Sequence, residues 1–141
     1  MATKTELAWA AGVVDGEGCI LIYQAHTNTG EAWVIRLIVS NTDKKMILRL
    51  QKIFGIGNLT FTGRRKAGYK DIWRYEVAAK KAEIVLRLLK PYLVTKQTEA
   101  RIAVESRKLI RQHGINTPNP NFSRLATIKK QLERLKRTQD T

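Results

Sequence analysis

Trp9-Ala10-Ala11-Gly12-Val13-Val14-Asp15-Gly16-Glu17-Gly18 joins an apolar run of small residues to two carboxylates with glycines around the second. The apolar part reads as a helix, and the acidic, glycine-rich turn after it predicts a helix stop near Val14. A carboxylate is thereby presented at a helix end. The dipole is negative there, so Asp15 needs a partner from elsewhere in the fold. Upstream, Thr3 with Glu6 three residues later matches a capping box and predicts the helix over 4–14. Ala8 and Gly12 share one face with Ala11 beside them, and residues this small let another backbone approach closely. Either the chain's own sheet or a second copy could be that neighbour.

Downstream the pattern turns to strand. Residues 19–24 are rich in β-branched and aromatic types, and 33–40 alternate Trp33, Ile35, Leu37 and Val39 against Val34, Arg36, Ile38 and Ser40. The polar stretch 25–31 between them predicts the loop of a hairpin. Asn41, Thr42 and Asp43 offer N-cap chemistry for a helix in which Met46, Ile47, Leu50, Ile53 and Phe54 recur until Gly55. A second hairpin is expected over 57–62 and 70–77, with the basic tip Gly63-Arg64-Arg65-Lys66-Ala67-Gly68. Helices over 80–90, ending near Pro91, and over 96–112 follow. After a proline-containing linker, 116–121, Ser123 is expected to cap a last helix bearing Leu125, Ile128, Leu132 and Leu135. That apolar seam is shorter than two heptads, so the helix is expected to dock on the chain's own core. Its basic face (Lys129, Lys130, Arg134, Lys136, Arg137) suits either solvent or phosphate.

The order αββαββα predicts an α+β fold: one curved, antiparallel four-stranded sheet with helices on one face, plus an extra C-terminal helix. Residues 1–115 are expected to form the main domain, with 116–141 a linker and basic helix packed on it or extending it. The other sheet face should then be open. A two-stranded arm of about nine residues at ~3.3 Å each can follow about nine base pairs in a major groove. Nucleic-acid contacts are expected from Tyr23, Gln24, His26, Asn28, Arg36, Arg64, Arg65, Lys66, Lys70, Arg74 and Glu76.

Composition points the same way. The 141 residues carry 26 Lys plus Arg against 12 Asp plus Glu, a net +14, which at this size favours a polyanionic partner, nucleic acid before membrane. A single cysteine, Cys19, excludes an internal disulfide framework and suits an intracellular, soluble protein. His26 and His113 stand far apart with no cysteine cluster, which argues against structural zinc. No apolar run reaches the roughly 20 residues of a membrane span.

The segment Ala10-Ala11-Gly12-Val13-Val14-Asp15-Gly16-Glu17-Gly18 resembles the signature of the LAGLIDADG homing endonucleases. Ala11, Gly12, Asp15 and Gly18 match identically, and Val13, Val14 and Glu17 are conservative replacements. The predicted αββαββα order follows in register over about the first 112 residues. Leu89-Lys90-Pro91-Tyr92-Leu93-Val94-Thr95-Lys96 is similar to the family's "PyL..K" segment.

The resemblance implies a site-specific, intron-encoded endonuclease that hydrolyses both strands of a long, near-palindromic double-stranded DNA target. It makes Glu17 the metal ligand, helped by the Gly16 carbonyl, with Mg²⁺ as the cofactor and Mn²⁺ able to substitute. Glutamate in place of the family's aspartate shifts the carboxylate's reach by one methylene. Lys96 would stabilise the charged transition state or tune the nucleophilic water. Asn41 and Lys45 match positions around the water network, although Asn41 also suits an N-cap and Lys45 a solvated surface. A single motif per chain implies a C2 homodimer, with Ala8, Ala11 and Gly12 in its interface. A non-cleaving relative, acting as an RNA maturase in intron splicing or as a DNA-binding regulator, is the alternative; an unrelated basic RNA-binding protein is a third reading.

Overall fold

Thr3 opens the first helix through the reciprocal bonds its spacing to Glu6 predicts. The Glu6 N–H donates to Thr3 Oγ1 at 3.1 Å, and the Thr3 N–H donates to Glu6 Oε1 at 3.0 Å. The structure, a computed structural model, describes residues 2–27, 30–63, 68, 70–110 and 121–139. Its elements run α1 (Lys4–Glu17), β1 (Gly18–Thr27), β2 (Gly30–Asn41), α2 (Lys44–Phe54), β3 (Asn58–Gly63), β4 (Ile72–Ala78), α3 (Ala79–Leu89), a 3₁₀ turn (Lys90–Tyr92), α4 (Gln97–Ile110) and α5 (Phe122–Gln139). This is the α+β architecture that the periodicities predict.

All strand pairs are antiparallel, in the order β1-β2-β4-β3, so the two hairpins meet along β2 and β4. Side chains alternate between the two faces of the sheet. Ile20, Ile22, Trp33, Ile35, Leu37, Val39, Tyr75 and Val77 all point to the helix-covered face and are buried. Tyr23, Arg36, Ile38, Ser40, Arg74 and Glu76 alternate with them and keep part of their surface. The core therefore lies on one side only.

Tyr75 pins the second hairpin to α2. Its hydroxyl donates to the Ile56 carbonyl at 2.8 Å, and burial pushes its pKa upward. Gly57 sits over its ring at φ +112°, where a Cβ would come within 2.5 Å of the ring carbon Cε2. Only glycine suits both that backbone and that space.

Several boundaries differ from the sequence reading, each for a tertiary reason. The polar stretch 25–31 is mostly strand, because Ala25 pairs with Ala32, His26 with Glu31 and Thr27 with Gly30. An antiparallel ladder extends through polar residues once its register is set. Ser123 does not cap the last helix: α5 already includes Phe122, the Leu125 N–H donates to the Asn121 carbonyl, and the Ser123 carbonyl accepts from Thr127 Oγ1. Phe122 meets Trp33 edge-on at 5.4 Å, a contact that extends the helix at its start. α5 docks on the core through Leu125 and Leu132, both fully buried. Two such leucines contribute roughly 3–6 kcal/mol of burial. No helix among the described residues is long and apolar enough to cross a membrane.

Candidate active site and open sheet face

The largest departure from the sequence reading is at the end of α1. The helix does not stop at Val14 but runs through Asp15 and Gly16 to Glu17. Asp15 is what carries it on. Its Oδ2 accepts the Val94 N–H at 2.9 Å and its Oδ1 the Lys96 N–H at 3.0 Å. Two backbone donors from the segment before α4 thus supply the partner that a carboxylate at a helix C-terminus requires. Lys96 completes the clamp: its Nζ donates to the Asp15 carbonyl at 2.7 Å, satisfying one of the acceptors left open at a helix end. At 8% exposure the ammonium of Lys96 needs that acceptor. Asp15, Val94 and Lys96 lock α1 to the start of α4.

Gly18 ends the helix because the strand begins at once. Its N–H donates to the Val14 carbonyl, and a Cβ there would lie 2.7 Å from that same oxygen. Glu17 has a different environment from Asp15. It is the last helical residue and is exposed, and among the described residues no group pairs with its carboxylate. Gly16 beside it is exposed too. Among the described residues no three His, Cys, Asp or Glu side chains gather into a metal cage. A hard cation at Glu17 would take one carboxylate oxygen and the Gly16 carbonyl from this chain, and its other oxygens from phosphate, water or a second chain. That donor chemistry suits a divalent ion held against a phosphodiester.

Asn41 and Lys45 occupy the junction between β2 and α2. Asp43, not Asn41, is the N-cap of α2, its Oδ1 accepting the Lys45 and Met46 N–H groups. Asn41 Oδ1 accepts the Asp43 N–H at 2.8 Å, which fixes the turn and leaves the Asn41 amide NH₂ as its remaining polar group. Lys45 is exposed, on an open groove lined also by Glu6, Leu48, Arg49 and Lys52. Arg49 stacks over the Trp9 ring there, with 4.6 Å from its guanidinium carbon to the ring centroid.

On α1 the small residues divide between two faces. Ala8, Gly12 and Gly16, four apart, are exposed, and nothing lies within 4 Å of a Cβ built at Gly12 or Gly16. Ala11 corrects the sequence reading. It is fully buried with Leu7, Ala10 and Val14, because at about 100° per residue it stands about 60° round the helix from Ala8 and about 100° from Gly12, on the flank turned toward the Leu7–Val14 stripe. It cannot present its side chain to a second chain.

The open sheet face carries Tyr23, Arg36, Arg74 and Glu76, as the alternation predicts. Gln24 does not belong there. It follows Tyr23 and pairs with buried Trp33, so it lies on the face of Ile20 and Ile22. Lys70 is exposed just before β4. Asn28, Arg64, Arg65 and Lys66 lie outside the described residues, and His26 is placed only as a member of β1. Arg36 Nε lies 2.8 Å from Glu76 Oε1, an ion pair whose N–H is not aligned as a hydrogen bond. Its second contact is aligned: Nη2 donates to the Tyr23 hydroxyl at 3.1 Å, with the guanidinium 4.4 Å above the Tyr23 ring. The nucleic-acid contacts expected from the sequence leave out Ile38, Ser40, Asn58 and Thr60 on this face, although the β2 alternation already places the first two beside Arg36.

The LAGLIDADG endonuclease family model matches residues 10–104, and the chain belongs to that family. Among solved structures, it is similar to the homing endonuclease I-CvuI in complex with the I-CreI target in the presence of 2 mM Mg, with that DNA not cleaved. The identity is 23% and the TM-score 0.77, over 94% of this chain and 82% of that one. The archaeal intron-encoded homing endonuclease I-Vdi141I, complexed with DNA, is similar at 15% identity and TM-score 0.70, over 93% and 84% of the two chains. The LAGLIDADG meganuclease I-AabMI bound to uncleaved DNA shares 19% identity at TM-score 0.69; the match covers 87% of this chain but 45% of that one. No curated protein matches the chain in sequence.

Proposed function

We propose that this chain is a homodimeric homing endonuclease that hydrolyses both strands of a long, near-palindromic DNA duplex with Mg²⁺, Mn²⁺ being able to substitute. The observation that carries the reading is the division of labour between the two motif carboxylates. Asp15 is consumed by the fold, whereas Glu17 stands exposed at the helix end, unpaired among the described residues. An unpaired carboxylate on a chain of net charge +14 opposes polyanion binding unless a cation offsets it.

A divalent ion at this position supplies charge neutralisation of the phosphodiester and a more acidic bound water. The chain's own residues do the rest. Glu17 and the Gly16 carbonyl would hold the ion. Lys96 has one N–H on the Asp15 carbonyl and two left, which can stabilise charge developing on the phosphate. The Asn41 amide and Lys45 lie on the β2–α2 junction, where they would order water and phosphate. Tyr23, Arg36, Arg74 and Glu76 face the groove from the sheet, and Lys70, Arg64, Arg65 and Lys66 would add phosphate contacts.

One Glu17 per chain serves one strand, so a double-strand break needs two chains. The exposed Ala8, Gly12 and Gly16 line, where glycine serves no need of this chain's own packing, offers the contact for a second copy. The fold's match to 45% of I-AabMI accords with one chain supplying half of such an assembly. Incubation with a randomised duplex library and Mg²⁺ or Mn²⁺ should yield one discrete cut site, from a species that light scattering sizes as a dimer. Binding without cleavage in both metals would instead place the chain with the non-cleaving maturases or regulators, and a monomer on DNA would remove the two-chain model.

A further inference from the structure

Two arginines share the open sheet face, and their surroundings differ. Arg36 is held on three sides: Glu76 beside its Nε, the Tyr23 hydroxyl on Nη2 and the Tyr23 ring beneath it. These contacts tie β1, β2 and β4 together. They also offset the charge of Arg36 and take one of its N–H donors, on Nη2; its Nε, like that of Arg74, makes no hydrogen bond. Arg74, two residues before Glu76 on the same strand, has none of this. Its cross-strand neighbours are Ser40 on β2 and Thr60 on β3, both short and uncharged. Its Nε is buried without an acceptor, and among the described residues no carboxylate pairs with it.

We propose that Arg74, and not Arg36, is the guanine-reading residue of each half-site, with Glu76 and Tyr23 serving to hold Arg36 out of that role. The inference rests on the DNA-binding reading above and goes beyond it by assigning a base. A guanidinium whose Nε has no acceptor among the described residues, and which no carboxylate there pairs with, is left to take acceptors from outside. The major-groove edge of guanine offers two, O6 and N7, in the spacing of two guanidinium donors. Phosphate also offers oxygens. However, Arg74 lies on β4, between β2 and β3, on the open face that a two-stranded ribbon turns to the major groove, where base edges are presented. Its cross-strand neighbours Ser40 and Thr60 carry no charge that would compete for it. Glu76 keeps Arg36 as a fixed, charge-offset brace, which stops a second free guanidinium from binding any groove without discrimination.

The test is selection of binding sites from a random-sequence duplex library by the full chain, its Arg74→Ala, Arg74→Gln and Arg36→Ala variants. The parent should enrich guanine at one position in each half-site. Arg74→Ala should lower preference at that position about 5- to 100-fold and leave the other positions alone. Arg74→Gln should move the preference toward adenine, the base a glutamine amide reads. Arg36→Ala should lower affinity for all sequences alike and keep guanine enriched at that position. Because Arg74→Ala removes a donor that has no acceptor in the free protein, its melting temperature should equal or exceed the parent's. A guanine preference that survives in Arg74→Ala, or that disappears in Arg36→Ala alone, overturns the assignment while leaving DNA binding intact. A parent that enriches no sequence overturns the assignment and the nuclease reading together.

Discussion

The end of α1 and the open sheet face hold the same kind of pair: two like-charged side chains, one engaged and one free. At the helix end Asp15 is engaged and Glu17 has no partner among the described residues; on the sheet Arg36 is engaged and Arg74 has no such partner. What differs is the restraint. Asp15 is held by two main-chain N–H groups about 80 residues away in sequence, which are fixed by the course of the backbone. Arg36 is held by side chains on neighbouring strands, at 29% exposure for itself and 21% for Glu76. The first restraint is part of the folded scaffold, whereas the second is a surface contact that salt and substitution can loosen. The chemical centre is thereby built on the stiffer support, and the face proposed to read sequence on the more adjustable one.

Substitutions can break this comparison. The largest effect is expected at Glu17. Glu17→Gln should lower cleavage by roughly 10³-fold or more, the equivalent of the several kcal/mol a metal ion supplies. It should leave urea stability within about 0.5 kcal/mol of the parent, since an exposed, unpaired side chain contributes little. An unchanged cleavage rate would remove Glu17 from the chemistry.

Asp15→Ala should do the reverse in kind. It deletes two bonds to a charged acceptor, one from the exposed Val94 N–H, which water can take over, and one from the part-buried Lys96 N–H. The buried bond is worth about 1.5–3 kcal/mol and the exposed one about 0.5–1.5, so urea denaturation should show a loss of about 2–4 kcal/mol. A parent-like unfolding midpoint would mean that the clamp does not hold α1 to α4. On the sheet, Glu76→Gln should cost about 0.2–1 kcal/mol, and less in high salt. A loss comparable to that of Asp15→Ala would erase the contrast between the two regions.

The smallest effect concerns Glu6. Its hydrogen bond from the Thr3 backbone N–H, and then that with the Thr3 side chain, hold its pKa below the ordinary value of 4.5. The capping contribution is therefore complete above the unfolded value and disappears as pH falls through the depressed folded one. Glu6→Ala should flatten this acid limb in a pH series of melting temperatures, with no change near neutrality in its slope.

The secondary structure was largely legible because it is local. The Thr3/Glu6 capping box, the β2 alternation and the stop at Gly55, which is left-handed at φ +70°, each need only a few neighbouring residues. The strand extension through residues 25–27 and 30–32 was not, since those polar residues are in the ladder only because each has an opposite partner. The site divides the same way. That the motif offers two carboxylates is plain from residues 15 and 17, and a partner for Asp15 could be expected from the helix dipole alone. That Val94 and Lys96 are this partner, and that the helix consequently reaches Glu17, depends on the chain returning to α1 after the 3₁₀ turn.

By itself the sequence determined the order of elements, the strong positive charge, the single acidic motif and the alternation that puts Arg36, Arg74 and Glu76 on one face. Those properties follow from composition and from local periods of two and 3.6 residues. Only the tertiary structure decided which charges are engaged and which are free: Asp15 against Glu17, Arg36 against Arg74, and Ala11 in the core against Ala8 and Gly12 at the surface. A hydrogen-bond partner or a burial environment is set by segments distant in sequence, and no local pattern encodes it.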